Sequence, residues 1–201
     1  HVEVAKLLLA RKASVDLARN DGVTPLYMAA QNGHVQVAQL LLANKASVDL
    51  AGNSGATPLY MAAQNGHVEV AKVLLANKAS VDLARNDGAT PLLVAVQNTH
   101  VEVVKLLLAR KASVDIARNN SATPLFMAVQ GGPVEVLKLL LADKASVDLA
   151  LRAILHWASP RTVGTSRRRS FWWTGRPTWI SHQAIARVLS CTRRRRGTAR
   201  C

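Results

Sequence analysis

The chain has 201 residues, of which 49% are hydrophobic but only 4% aromatic, and its formal net charge is +14. A core built mainly from Ala, Val and Leu favours close-packed short helices over a β-sandwich or a barrel. No apolar run approaches the roughly 20 residues that span a bilayer, so we expect no membrane span.

The charge divides the chain into two unlike parts. Residues 1–150 contain 14 basic and 12 acidic side chains and no cysteine, whereas residues 151–201 contain 12 arginines and no acid. All four tryptophans and both cysteines also follow residue 150. The composition predicts a domain over 1–150 that needs no disulfides, compatible with the cytoplasm, followed by an Arg- and Trp-rich, poorly ordered tail over 151–201.

A period of 33 residues runs through the first part. Thr-Pro-Leu recurs at that spacing, beginning at Thr24, Thr57, Thr90 and Thr123. Two further series keep the same register, namely His1, His34, His67, His100 with Pro133 in the next place, and Asp16, Asp49, Asp82, Asp115 and Asp148. The period predicts stacked units: a partial repeat at 1–23 and repeats at 24–56, 57–89, 90–122 and 123–150.

Each unit has the pattern of two short helices. Thr24 is a suitable N-cap and Pro25 follows at the first helical position, where its missing N–H costs nothing. Gly33 can adopt the left-handed conformation that ends a helix. The second helix is predicted over about 34–43, where apolar residues fall on one face.

The segments between helices carry the remaining polar residues. We predict a turn at 20–22 and an extended link at 47–50. The histidine and aspartate series are locked to the repeat, so each member is alone in its unit and favours a structural role over a catalytic one. The chain has no phosphate-binding glycine loop and no paired-cysteine zinc spacing. We therefore predict no enzyme activity, no cofactor and no metal site.

These motifs resemble the ankyrin family. The family pattern Thr-Pro-Leu-His-x-Ala is matched by Thr-Pro-Leu-Tyr-Met-Ala from Thr24 to Ala29, with Gly33-His34 and a Leu-Leu-Leu run at 40–42 after it. The resemblance covers residues 1–150 and implies an all-α solenoid of helix-turn-helix repeats with β-turn tips. It also implies a non-enzymatic scaffold for protein–protein interaction. Because the chain opens in mid-pattern, we expect a fragment, and a larger ankyrin-containing enzyme or signalling protein is an alternative.

Two departures from the family pattern recur. The motif histidine is replaced by an apolar or aromatic residue at Tyr27, Tyr60, Leu93 and Phe126. The glycine that ends the second helix is replaced by Lys12, Lys45, Lys78, Lys111 and Lys144. A lysine held at positive φ is strained by on the order of 1 kcal/mol, and the alternative is that the second helix ends differently. Both departures lead us to expect lower stability than in a consensus array.

The resemblance implies that a protein partner binds the concave face, which the first helices and the turn tips form, and we expect the chain to be monomeric. The first helices supply the candidate contact residues Met28, Gln31, Asn32, Met61, Gln64, Asn65, Val94, Gln97, Asn98, Met127 and Gln130. The turn tips supply Arg19, Asp21, Asn53, Arg85, Asp87, Arg118 and Asn119. The methionines and valine form either an exposed apolar stripe or packing beneath the turns.

The tail has three interpretations. Residues 161–200 interleave arginine runs at 167–169 and 193–196 with aromatics, a composition suited to nucleic acid or an anionic surface. Alternatively, an amphipathic patch caps the last repeat, formed by Ala184, Ile185, Val188 and Leu189. The third interpretation is that the tail is an out-of-frame translation of further repeats.

Codon arithmetic favours the third interpretation. Because Trp has only the codon TGG, reading one base out turns Trp172-Trp173 into a valine codon. Permitted codons over 171–182 then allow Leu-Val-Asp-Gly-Gln-Ala-Asp-Val-Asp-Leu-Ala. That string aligns without a gap on Leu-Leu-Ala-Asn-Lys-Ala-Ser-Val-Asp-Leu-Ala at 41–51. The arginine excess follows as well, because alanine and glutamine codons rich in G and C read as arginine one base out.

Sequencing of genomic DNA and transcript across codons 145–160 tests the frameshift. We expect one frame-restoring base in that interval, after which the reading frame continues the 33-residue period. The reported frame in both nucleic acids, without such a base, contradicts a sequencing error and leaves a genuine departure from the repeat near residue 150.

Overall fold

The computed structural model describes residues 2–158, and this part of the chain forms ten helices and no strand. The helices are α1 (Val2–Ala10), α2 (Pro25–Gln31), α3 (Val35–Ala43), α4 (Pro58–Gln64), α5 (Val68–Ala76), α6 (Pro91–Gln97), α7 (Val101–Ala109), α8 (Pro124–Gly131), α9 (Val134–Ala142) and α10 (Val147–Ala158). The predicted all-α solenoid is confirmed.

The helices stack in two rows. The first helices α2, α4, α6 and α8 pack against one another in order, and the second helices α1, α3, α5, α7 and α9 form a parallel row behind them. The core lies between the rows, where Leu59, Leu92 and Leu125 are at most 1% exposed. Burying each such side chain stabilises the fold by roughly 1.5–3 kcal/mol. Neighbouring repeats therefore stabilise one another through burial that a single repeat cannot achieve.

The predicted start of each first helix is confirmed. Thr24 Oγ1 accepts a hydrogen bond from the Tyr27 amide at 3.2 Å, and the later threonines cap α4, α6 and α8 in the same way. Proline occupies the first turn of all four helices. The threonines are almost completely buried, so the cap also satisfies a hydroxyl that has little access to water.

The second helices end on a left-handed lysine, which is one of the two endings that the sequence left open. All five lysines at this position have φ between 61° and 66°. The first helices instead end before Gly33 and Gly66, both with φ of 73°. In the next unit Thr99 occupies that place with φ of 61°, although a β-branched residue is strained in this conformation.

The links between repeats differ from one of the two predictions. The turn at 20–22 is confirmed, because the Gly22 amide donates to the Arg19 carbonyl oxygen at 2.9 Å. The extended link at 47–50 is wrong, because Val48 and Asp49 form a turn. The turn places the carboxylate of Asp49 against the next repeat, where it accepts from the Ser80 amide at 3.1 Å and hydroxyl at 2.6 Å.

The last described helix crosses the boundary that we placed at residue 150. Ala150, Ala153 and Ile154 are at most 5% exposed, and α10 packs against α8, so it continues the row of first helices. Residues 151–158, which we assigned to the poorly ordered tail, are thus helical. The described residues do not include the arginine-rich arm over 161–200 or the patch at 184–189. The segment at 171–182, which the codon argument uses, also lies outside them.

Substitution of Gly66 tests whether the stacking requires glycine at the end of a first helix. A Cβ there would lie 2.6 Å from Nδ1 of His100, in a conformation that alanine resists. We expect Gly66→Ala to lower the free energy of unfolding by about 2 kcal/mol or more, measured by urea denaturation. Gly131→Ala is the matched control, since its Cβ meets nothing within 4 Å, and we expect it to raise stability by about 0.5 kcal/mol. Equal effects of the two variants contradict the explanation.

Candidate functional site

A groove of about 380 Å³ lies on the side of the stack formed by the first helices and the turns that precede them. Helices α4, α6 and α8 and two successive turn tips supply its walls. Nine of the predicted contact residues line it, namely Gln64, Arg85, Asp87, Val94, Gln97, Asn98, Arg118, Met127 and Gln130. The structure brings together residues that the sequence spreads over 67 positions, from 64 to 130. Arg19 and Asp21 border a separate shallow surface at the first turn tip.

The predicted apolar stripe is mostly internal. Met61 and Val94 are 7% and 4% exposed, so they pack beneath the turns and offer little surface to a partner. Met127 is partly buried, and Met28 is 37% exposed. The first helices therefore present their polar residues to the groove, and the apolar residues mainly hold the repeats together.

The predicted asparagines connect neighbouring repeats. Nδ2 of Asn65 donates to the Gln31 carbonyl oxygen at 3.0 Å, and Nδ2 of Asn98 donates to that of Gln64 at 2.7 Å. At the turn tips Nδ2 of Asn53 donates to the Asn20 carbonyl oxygen at 3.0 Å.

Two further predicted asparagines have similar bonds. Nδ2 of Asn119 donates to the Asn86 carbonyl oxygen at 3.2 Å. Nδ2 of Asn32 donates within its own helix to the Met28 carbonyl oxygen at 3.0 Å. The bond of Asn119 thus joins neighbouring repeats, whereas that of Asn32 stays within its own helix.

Two members of the histidine series, His67 and His100, have the same structural role. Nε2 of His67 lies 3.0 Å from the Gln31 carbonyl oxygen, and Nε2 of His100 lies 3.0 Å from that of Gln64. The sequence predicts a structural histidine at the start of the second helix. The partner in the preceding repeat was not predicted, because the sequence spacing does not show which carbonyl the ring meets.

A charged cluster forms the floor of the groove. Nε of Arg85 donates to Oδ1 of Asp87 at 3.0 Å, and Nη2 of Arg85 donates to Oδ2. Arg118, from the next turn tip, brings its Nε within 3.1 Å of the same Oδ2. The Arg85 guanidinium also lies 5.5 Å from the centre of the Tyr60 ring, a cation–π contact.

The comparisons with known proteins are specific about the family. The family model described as "Ankyrin repeats (3 copies)" matches residues 1–85 and 77–152. The chain belongs to the ankyrin repeat family. A comparison with curated proteins gives no match.

Four lining residues of this ankyrin groove were missed by sequence reasoning: Tyr60, Asn120, Ala122 and Phe126. Tyr60 and Phe126 are each 1% exposed, and they replace the family's motif histidine at the base of the groove. A signal for Asn120 was available in the sequence, because two positions of the turn tip differ between repeats. These positions hold an arginine and an acid in some repeats and other residues in the rest. These pairs are Arg19 and Asp21, Gly52 and Ser54, Arg85 and Asp87, and Arg118 and Asn120.

The cluster changes the acidity of its members. The two hydrogen bonds from Arg85 are the main reason that the pKa of Asp87 is lowered, and partial burial acts in the opposite direction. Burial raises the pKa of the Tyr60 phenol, which the neighbouring Arg85 opposes. Around neutral pH the cluster therefore consists of two cations, one anion and a neutral phenol.

Other kinds of site find no support among residues 2–158. No group of three or more His, Cys, Asp or Glu side chains in this range is arranged to hold a metal ion. None of its helices combines the length and the apolar character needed to cross a bilayer.

Asp87→Asn tests the electrostatic role of the cluster. Since the folded-state pKa of Asp87 is depressed, its contribution to stability is present above the unfolded pKa of about 3.9 and is lost as pH falls through the folded value. We expect the variant to be less stable than the wild type at neutral pH, and the difference to shrink below about pH 4. Urea unfolding at a series of pH values measures both.

Asp21→Asn is the control, because its ion pair with Arg19 is more than half exposed on both sides. Its effect at neutral pH should remain within about 0.5 kcal/mol. An Asp87→Asn difference that stays constant from neutral to acid pH would mean that the carboxylate's charge does not stabilise the cluster.

Proposed function

We propose that this ankyrin array is a non-enzymatic scaffold that binds a protein partner in the groove on its concave face. Ankyrin repeats are generally protein–protein interaction modules, and the chain's membership of that family supports the general role. The observation that carries the specific proposal is the groove itself, where nine predicted contact residues from three repeats meet.

The polar walls of the groove suit an extended partner. Gln64, Gln97 and Gln130 occupy the same position in α4, α6 and α8, and each is at least partly exposed. A side-chain amide offers both donors and an acceptor, so a row of them can pair with the backbone of a peptide without selecting its sequence. The charged floor then supplies the sequence preference.

Catalysis has little chemical support in the same groove. A general base needs an accessible proton acceptor whose pKa lies near the working pH. Asp87 is held by Arg85 and approached by Arg118, and its pKa is lowered, so it is a weak base. The groove thus has the character of a recognition surface.

If the partner binds the concave face, substitutions in the groove should lower affinity and substitutions on the opposite row of helices should not. Binders are selected against the full chain from a displayed library of natural protein fragments, and their affinities are measured for two double variants. We expect Gln97→Arg with Gln130→Arg to weaken the affinity of most binders by about tenfold or more, because the bulky charges would block the groove. A tenfold loss of affinity corresponds to about 1.4 kcal/mol of binding free energy.

The matched control is Gln36→Arg with Gln39→Arg, which makes the same change at two exposed positions of α3, in the row of second helices. We expect this variant to bind as the wild type does. Binders that lose more affinity to the α3 variant than to the groove variant contradict the concave site.

A further inference from the structure

The acids of the turn tips do not balance the arginines that line the groove. Arg85 has an acid two positions later in its own turn, as Arg19 has in its turn, but the turn of Arg118 carries Asn120. Asn120 still makes the local turn bond, because its Oδ1 accepts from the Ala122 amide at 3.2 Å, as Oδ1 of Asp87 accepts from the Ala89 amide at 3.1 Å. The last turn therefore keeps its shape and lacks its charge.

Three hydrogen bonds from its own turn already engage the carboxylate of Asp87. A carboxylate has about four lone-pair sites. Oδ1 receives Arg85 Nε and the Ala89 amide, while Oδ2 receives Arg85 Nη2 and faces Arg118 Nε. Arg118 Nε is buried and, within the described part of the chain, makes no hydrogen bond of acceptable geometry despite its 3.1 Å approach to Oδ2. The cluster thus carries one excess positive charge.

The excess charge lies where a partner can reach it. Arg85 and Arg118 are 33% and 21% exposed, and both line the groove beside Gln97 and Asn98. Arginine in a partly desolvated site binds carboxylates through short, charge-assisted hydrogen bonds, which are about twice as strong as neutral ones. An incoming carboxylate would meet two guanidinium groups in a setting that is less screened than open surface.

We propose that the groove recognises an extended protein segment through one aspartate or glutamate side chain, whose carboxylate binds at Arg118 and Arg85. The proposal rests on the proposed function and names the chemistry of the partner. A single excess positive charge matches a monoanion. A phosphate group carries nearly two negative charges, so it would leave a net negative charge beside Asp87.

A selection of random dodecapeptides against the full chain, at about 0.15 M salt, tests the proposal. We expect the selected peptides to share an acidic residue at one position. Synthetic peptides with glutamate, glutamine or phosphoserine at that position are then compared, and glutamate should bind at least about tenfold more tightly than glutamine and also more tightly than phosphoserine. Preference for phosphoserine, or no preference for glutamate over glutamine, overturns the carboxylate site.

Two variants of the full chain locate the charge. Arg118→Gln removes the excess cation, and Asn120→Asp supplies the missing acid while retaining the turn bond. Each should abolish most of the preference for glutamate over glutamine. Because Asn120→Asp leaves both arginines in place, it tests the site even if Arg118→Gln loosens the fold.

The controls separate this site from the basic tail and from the general function. Gln39→Asp adds the same charge at an exposed position of α3, away from the groove, and Arg19→Gln removes a cation outside the groove; both should retain the preference. Retention of the preference in Asn120→Asp overturns the proposal. Peptides that bind the groove without an acidic residue, yet lose affinity in the Gln97 and Gln130 variant, overturn only the carboxylate site. Peptides indifferent to every groove variant, or a selection that yields no binder, contradict the proposed function as well.

Discussion

The structure depends on the hydrogen-bond donors that each repeat supplies to the helix end of the repeat before it. The last carbonyl groups of a helix have no partner within the helix. At the end of α4 the carbonyl oxygen of Gln64 meets two donors of the next repeat, Nδ2 of Asn98 at 2.7 Å and Nε2 of His100 at 3.0 Å. The ring of His100 also lies against Gly66, where any Cβ would collide with it. Stacking therefore satisfies the backbone and buries the core through the same contact, which couples the two.

The pattern of glycines follows from this contact between neighbours. Gly33 and Gly66 precede repeats whose histidine covers them, but Thr99 stands at the equivalent place, and there the following repeat has Pro133 instead of histidine. The turn tips show a similar pattern. In three of them a left-handed glycine, Gly22, Gly55 or Gly88, lies beside an asparagine of the next turn tip. Ser121 occupies the equivalent position in the fourth turn tip, and the next repeat position is in helix α10. At Thr99 and Ser121 a side chain is present at these places, and both residues keep the strain of a left-handed backbone.

Sequence reasoning predicts the local structure well because that structure depends on nearby residues, whereas burial depends on neighbours in space. The sequence from Thr24 to His34 is identical to that from Thr57 to His67. Nevertheless Met28 is 37% exposed and Met61 only 7%, because α4 packs between α2 and α6, while no first helix precedes α2 among the described residues. The helix caps and the turn at 20–22 were therefore predictable. The burial of Met61 and the inter-repeat bonds of Asn65 and Asn98 required the stack.

The same distinction separates the residues that hold nearly identical repeats together from those that give the groove its chemical character. The residues that couple repeats mostly recur, since successive repeats present the same carbonyl groups. The turn tips are free to vary once their local bond is satisfied, which Ser54, Asp87 and Asn120 all achieve for the amide two residues later. Variation there changes charge without changing shape. The groove therefore acquires its chemical character from a few exchanges, above all the neutral Asn120 beside Arg118, on a scaffold that the conserved contacts between repeats hold constant.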